Sequence, residues 1–225
     1  MPSPLIVVSG VGTGIGKTHL SVALVRAWSA FGRIAGFKPV ETGADPSAVS
    51  PGDDAHSLEL ASTFHVKHSE RALRFRAPVS PHLAARMERR PIDTSALADT
   101  IRSLRDGADG VLVELPGGLF SPLTEELLNV DFARTLGAHL LVLVAPDRLG
   151  ALNDVLAAAR AAPDLAPCIV LNTPERSDAS TGTNAAELAI LQPHSVLGPI
   201  PRAERADLAA HPAIRDLIAR AMSAV

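Results

Sequence analysis

Short apolar, β-branched runs alternate along this chain with segments whose apolar residues recur at helical spacing. The runs Leu5–Val8, Arg33–Lys38, Gly110–Glu114, His139–Ala145, Cys168–Asn172 and Ser195–Leu197 read as strands. Between the first two, Lys17–Ala30 places Leu20, Leu24, Ala27 and Trp28 on one helical face, with Phe31 next in the series. Further helices are predicted from Asp53 to about Phe64, and over Thr94–Leu104, Val130–Leu136, Leu152–Ala161, Asn184–Leu191, Ala203–Leu208 and Ala213–Met222. Asp53-Asp54 supplies a natural N-cap for the second of these. Two passages read poorly. After Val40-Glu41-Thr42-Gly43, the stretch Ala44–Gly52 is rich in Pro, Ser and Gly and is irregular. Lys67–Arg90 yields only a short Ala-rich helix after Pro78-Val79-Ser80-Pro81-His82.

Strands alternating with helices predict an α/β fold, a three-layer sandwich with a mostly parallel central sheet, in a single domain over residues 1–225. His139–Ala145, the most apolar strand, is expected at its centre. In such sheets ligands collect at the carboxyl ends of the strands. Those ends carry a glycine-rich loop, Lys38, Glu114, the Asp147–Asn153 turn and Asn172. Polar and glycine-rich equipment gathered on one rim marks a site.

Composition narrows the class. Apolar residues make up 47% and aromatics only 3%, so the core is built from Ala, Val, Leu and Ile. A formal charge of −3 without a basic stripe argues against nucleic acid as a partner. Leu140–Ala145 is far too short to span a membrane, and the N-terminus lacks the basic start of a signal peptide. One cysteine, Cys168, cannot form an internal disulfide and sits in a strand pattern, so it is expected buried and unreactive. A cytoplasmic protein is expected. His65 and His68, with no carboxylate or cysteine cluster beside them in sequence, are expected at the surface.

The first rim feature is the most specific. Leu5-Ile6-Val7-Val8 runs into Ser9-Gly10-Val11-Gly12-Thr13-Gly14-Ile15-Gly16-Lys17-Thr18, which opens the first helix. Strand, glycine-rich loop and helix together present backbone N–H groups and a positive helix end to phosphates. Lys17 would reach the outer phosphates and the Thr18 hydroxyl would hold Mg²⁺. The loop is one residue longer than the standard nucleotide loop, since Val11 stands where the first glycine belongs. A dinucleotide register is absent, because Ile15 takes the third glycine slot.

These residues resemble the ATP-dependent dethiobiotin synthetase family. The likeness rests on the long loop, on Gly36-Phe37-Lys38-Pro39-Val40-Glu41-Thr42-Gly43, and on Ser80-Pro81-His82. Glu114 with Gly117-Gly118, Leu149-Gly150-Ala151-Leu152-Asn153, Asn172 and Gly198-Pro199-Ile200-Pro201 extend it over nearly the whole chain. The resemblance implies an enzyme that takes 7,8-diaminononanoate, CO2 (or bicarbonate) and MgATP to dethiobiotin, ADP and phosphate through a carbamate and a carbamic-phosphoric anhydride. It implies Lys17 and Lys38 as catalytic cations, and Mg²⁺ on Thr18, Asp54 and Glu114. ATP is expected on Gly12, Thr13, Gly14, Ile15, Gly16, Lys17, Thr18, Asp54, Glu114 and Gly117, with Asn172, Pro201, Arg202 and Ala203 beside the base. The diamine is expected on Thr42, Ser80 and Gly118, with Gly150, Ala151, Leu152 and Asn153 contributed across a homodimer. Without the resemblance, Asp54 reads equally well as a helix cap.

The chain departs from the family at Leu115-Pro116, where similar enzymes carry small residues. Pro116 also removes an N–H beside Glu114. This keeps alive a nucleotide-sensing relative that does no chemistry. Partition-type ATPases share the expected fold, but they usually carry a second loop lysine at the position of Gly12.

Overall fold

A computed structural model describes residues 2–202 and 207–223. The strands are β1 (Leu5–Gly10), β2 (Ile34–Phe37), β3 (Val40–Thr42), β4 (Leu73–Phe75), β5 (Gly110–Glu114), β6 (Leu140–Pro146), β7 (Cys168–Asn172) and β8 (Val196–Ile200). The helices are α1 (Lys17–Trp28), α2 (Asp54–Ala61), α3 (His68–Arg71), α4 (Pro81–Met87), α5 (Thr94–Gly107), α6 (Asn129–Leu136), α7 (Ala151–Ala161), α8 (Asn184–Leu191) and α9 (Pro212–Ser223). Among the described residues, six strands form one sheet in the order β2-β5-β1-β6-β7-β8, and every pairing in it is parallel. β6 lies at the centre with β1, as its hydropathy predicts.

The continuous apolar runs follow from helices on both faces. Along β1, Leu5 and Val7 point into one apolar cluster while Ile6 and Val8 point into the other. The same division splits Val111 and Val113 from Leu112 on β5, and Leu141 and Leu143 from Val142 and Val144 on β6. A side-chain period of two with both faces covered confines polar residues to the carboxyl ends of these strands, as at Ser9, Glu114 and Asn172. Each fully buried Leu, Ile or Val contributes about 1.5–3 kcal/mol. α5 and α6 supply one face through Leu97, Ile101, Leu104, Phe132 and Leu136, and α1 and α9 the other through Leu20, Leu24, Trp28, Ile214 and Leu217.

Some expectations are corrected. The segment after Pro39 is a strand: β3 pairs in parallel with β4 in a separate two-stranded sheet, aligning Glu41 with Arg74. Strands this short carry too little apolar pattern to be read as such. Asp53 occupies the N-cap position of α2, but its side chain makes no cap bond. Its Oδ2 instead accepts from the Ser50 N–H and from Arg74. His68 is fully buried rather than at the surface. The helix expected over Ala203–Leu208 falls largely outside the described residues. Among the described residues no helix is long and apolar enough to cross a membrane.

Candidate active site

The rim over β1, β2 and β5 brings the expected residues together. β1 ends in Gly10, whose backbone packs so closely on the loop that a Cβ there would meet Ile15 Cδ1 at 2.5 Å. The loop turns into α1 at Gly16, with φ +87°, a conformation that glycine adopts without strain. Lys17, buried to 6% exposure, donates from Nζ to the Gly12 carbonyl at 2.7 Å. Burial pushes its ammonium down to about 8, the Lys38 charge pushes the same way, and the Glu114 carboxylate pulls back.

Lys38 follows β2, and Glu114 closes the neighbouring strand β5. Its Nζ donates to Asp54 Oδ2 at 2.5 Å and to Glu114 Oε1 at 2.6 Å. Burial works against this charge, but the Glu114 and Asp54 carboxylates outweigh it and hold the ammonium above its ordinary range. Asp54 is likewise penalised by burial, yet Lys38 keeps it below the usual carboxylate range. Thr18 Oγ1 donates to the same Glu114 Oε1 at 2.8 Å. Glu114 Oε2 is buried without a hydrogen-bond partner. An all-oxygen set of Thr18, Asp54 and Glu114, with one carboxylate oxygen orphaned in the interior, fits a small hard cation such as Mg²⁺.

A cavity of about 700 Å³ joins Thr13, Gly14, Gly16, Lys17 and Thr18 to Lys38, Asp54, Glu114 and Gly117, and extends past Thr42, Ser80 and Pro116. Gly118 lies behind it, where a Cβ would approach the Gly10 carbonyl at 3.3 Å. The turn from Pro116 to Gly118 is held by Asn129, whose Nδ2 donates to the carbonyls of both residues. Leu115 faces away from the site into the apolar cluster and is fully buried. The substitution at Pro116 thus leaves the Glu114 carboxylate in the site while costing the cavity one donor.

A second cavity of about 320 Å³ continues from Thr13, Gly14 and Ile15 to Thr173, Pro174, Glu175, Arg148, Arg176 and Arg202. Asn172 stands between loop and strand end. Its Nδ2 donates to the carbonyls of Ile15 at 2.9 Å and Gly16 at 3.1 Å, which leaves its buried Oδ1 without a partner. The Pro201 carbonyl meets His19 Nε2 at 3.0 Å. Ala203 lies outside the described residues. Gly150, Ala151, Leu152 and Asn153 stand apart from both cavities at the start of α7, beside an exposed Leu149.

The sequence pattern misses the residues that support this rim. His68 Nε2 accepts the Lys38 N–H at 3.0 Å, so the ring proton lies on Nδ1 and is donated to Glu59 Oε1 at 3.1 Å. Burial pushes the His68 imidazole below its ordinary range despite Glu59, which keeps it neutral and accepting. Glu41 Oε1 accepts from the Asp54 N–H at 2.7 Å, the capping bond that Asp53 does not make. The pairing of Glu41 with Arg74 across β3 and β4 is invisible without the register.

A glycine-rich loop between β1 and α1 of a parallel sheet, with Lys17 at the helix start, Lys38 and Glu114 at the ends of the paired strands β2 and β5, and Asp54 opening α2, defines a P-loop nucleoside-triphosphate protein. A family model described as "AAA domain" matches residues 5–209. An ATP-dependent dethiobiotin synthetase BioD of Caulobacter sp. (strain K31) is 39% identical over 163 residues, covering 69% of this chain and 68% of that protein. Its counterpart in Anaeromyxobacter dehalogenans (strain 2CP-1 / ATCC BAA-258) is 35% identical over 199 residues, covering 86% and 88%. The chain belongs to the family of ATP-dependent dethiobiotin synthetases, which are ligases. Solved structures share the fold alone: a plasmid partition protein from Borrelia burgdorferi (TM-score 0.56, 8% identity, all of both chains) and the MinD cell division protein of Aquifex aeolicus (TM-score 0.53, 16% identity, 98% and 96%).

Proposed function

We propose that this protein closes the ureido ring of dethiobiotin from 7,8-diaminononanoate, CO2 and ATP. The observation that carries the reading is the single cavity in which Lys17, Lys38, Thr18, Asp54 and Glu114 adjoin Thr42 and Ser80. One end is equipped for phosphoryl transfer and the other has hydroxyls for a polar substrate.

In this reading one amine of the diamine takes up CO2 to form a carbamate, releasing a proton. A carbamate oxygen attacks the γ-phosphorus of ATP, and the bond to ADP breaks. The second amine then attacks the carbonyl of the mixed anhydride, expelling phosphate and losing a proton as the ring closes. Phosphoryl transfer needs positioning and positive charge more than covalent help. The loop N–H groups and Lys17 hold the triphosphate, and Lys38 brings charge to the transferred group. Mg²⁺ on Thr18, Asp54 and Glu114 would supply further charge against the phosphate oxygens when bound. Thr42 and Ser80 orient the diamine. Asn172 Oδ1, buried without a partner at the end of β7, would suit the exocyclic amine of adenine if nucleotide binding turns it toward the neighbouring cavity. Gly150–Asn153, set apart from this chain's own cavity, suits the reading in which the turn serves the partner's site in a homodimer.

The test is phosphate release with MgATP and bicarbonate, with and without the diamine, together with the mass of the product. Diamine-dependent release with dethiobiotin formed is expected. Release indifferent to the diamine would replace this reading with that of a simple ATPase, and nucleotide binding without release would leave a sensor.

A further inference from the structure

Glu41, which lines the first cavity, belongs to a buried ionic cluster whose guanidinium, that of Arg74, reaches neither cavity. Arg74, on β4, is 1% exposed and spends its donors in four directions. Nε donates to Glu41 Oε2 at 3.2 Å, Nη2 to Asp53 Oδ2, and Nη1 to the carbonyls of Asp45 (2.6 Å) and Ala48. Glu41 uses its other oxygen on the backbone: Oε1 accepts the Asp54 N–H at 2.7 Å and the Ala55 N–H at 3.4 Å. The first turn of α2 is thus capped by a carboxylate from another segment, and that carboxylate is oriented by Arg74. The parallel pairing of β3 with β4 sets Glu41 opposite Arg74, so the small sheet builds the pair.

We propose that Arg74 and Glu41 are positioning residues for Asp54: Arg74 fixes Glu41, Glu41 fixes the N-terminus of α2, and the α2 N-terminus fixes the carboxylate that faces Lys38. The inference rests on the reading of Asp54 as a metal-side carboxylate. It also assigns the irregular Asp45–Asp53 stretch its shape before any ligand arrives, because one guanidinium ties down both its ends. A buried charge held by this many oriented partners serves as a strut. Removing residues that orient a metal-binding carboxylate costs about 10–100-fold in metal affinity.

The experiment titrates Mn²⁺ by electron paramagnetic resonance into protein carrying a non-hydrolysable ATP analogue. The variants are Glu41→Ala, Glu41→Gln, Arg74→Lys and Asp54→Ala, each checked for cooperative melting. Glu41→Ala should weaken Mn²⁺ by about tenfold or more. Glu41→Gln, which keeps an acceptor for the Asp54 N–H, should recover part of that loss. Combined with Asp54→Ala, Glu41→Ala should cost nothing further, because its effect passes through Asp54. Arg74→Lys keeps the charge without the fork and guards against a Glu41 variant that does not fold. Unchanged Mn²⁺ affinity in folded Glu41→Ala and Arg74→Lys protein would overturn the proposal, as would an equal loss in the Asp54→Ala background. If Asp54→Ala alone leaves Mn²⁺ affinity intact, the reading of the site fails first. If Mn²⁺ behaves as expected but the diamine releases no phosphate, only the proposed reaction fails.

Discussion

The two lysines of the site feel the same pair of carboxylates, Glu114 and Asp54, yet their surroundings are opposite. Lys17 is buried against its own loop, with the Gly12 carbonyl as its hydrogen-bond partner and an ammonium pushed down to about 8. Lys38 is clamped between two carboxylates and held above its ordinary range. The first is a cation short of an anion, and a triphosphate arriving on the loop supplies one. The second already has its anions. Lys17 is therefore organised for binding, whereas Lys38 neutralises a pair of acids whose natural alternative partner is a metal ion.

The largest effect should come from Lys17. Lys17→Ala is expected to lower turnover on the order of a thousandfold or more, by removing charge from the triphosphate. Its effect on folding should have the other sign. The unfolded chain binds a proton at this side chain more tightly than the folded one, so the buried charge opposes folding at pH 7, and the opposition fades as pH rises past about 8. Lys17→Met should hold or raise the melting temperature at pH 7. A variant at full activity would remove Lys17 from the site.

Lys38 should invert that pattern. Lys38→Ala leaves Glu114 and Asp54 with only the Lys17 charge nearby, which bonds neither, and breaking a buried pair costs roughly 3 kcal/mol. Its melting temperature should fall, and added Mg²⁺ should restore part of the loss. Turnover should drop on the order of a hundredfold, more than nucleotide affinity does. A defect confined to nucleotide affinity, with stability unchanged, would make the two lysines equivalent.

A smaller effect separates the supports. His68 accepts the Lys38 N–H, whereas the Lys17 region is braced from outside the loop by Asn172 on the Ile15 and Gly16 carbonyls and by Glu114 on the Thr18 hydroxyl. His68→Ala removes an acceptor from a buried N–H, a cost of about 1–3 kcal/mol. That cost falls on stability; kcat should fall only modestly, by about tenfold, the equivalent of roughly 1.4 kcal/mol on the barrier, with little change in nucleotide affinity. An unchanged kcat in folded His68→Ala protein would show that β2 alone holds Lys38.

The same contrast governs what was legible in the sequence. The Lys17 region is local: strand, loop and helix occupy consecutive residues, and glycine, lysine and threonine each announce a physical role. The central sheet was equally legible because buried parallel strands are unbroken apolar runs. Lys38, Asp54 and Glu114 come from three segments: the strand-end rule sets Lys38 and Glu114 on one rim, and only the family resemblance adds Asp54 to them ahead of the fold. The illegible part is the non-local polar support. Glu41 caps α2 across sequence, and Arg74 orients Glu41 through a pairing too short to show a period. His68 looked like a surface histidine because its partners, Glu59 and the Lys38 backbone, carry no sequence signature of contact. Asp53 misled in the opposite direction, since a good capping residue was drawn away by a buried arginine.

The finest test of the comparison is a count of protons. With its ammonium near 8, Lys17 is only about half protonated in the nucleotide-free protein at pH 8. A bound triphosphate favours the charged form, so nucleotide binding should take up a fraction of a proton at pH 8, more at pH 9, and almost none at pH 6.5. Lys38, held above its ordinary range, is charged in both states and adds nothing across this window. Calorimetric titration of ADP in buffers of different ionisation enthalpy reads the uptake directly. It should vanish in Lys17→Met and persist in Lys38→Met. Uptake that survives Lys17→Met would assign the titrating group elsewhere and dissolve the electrostatic contrast between the two lysines.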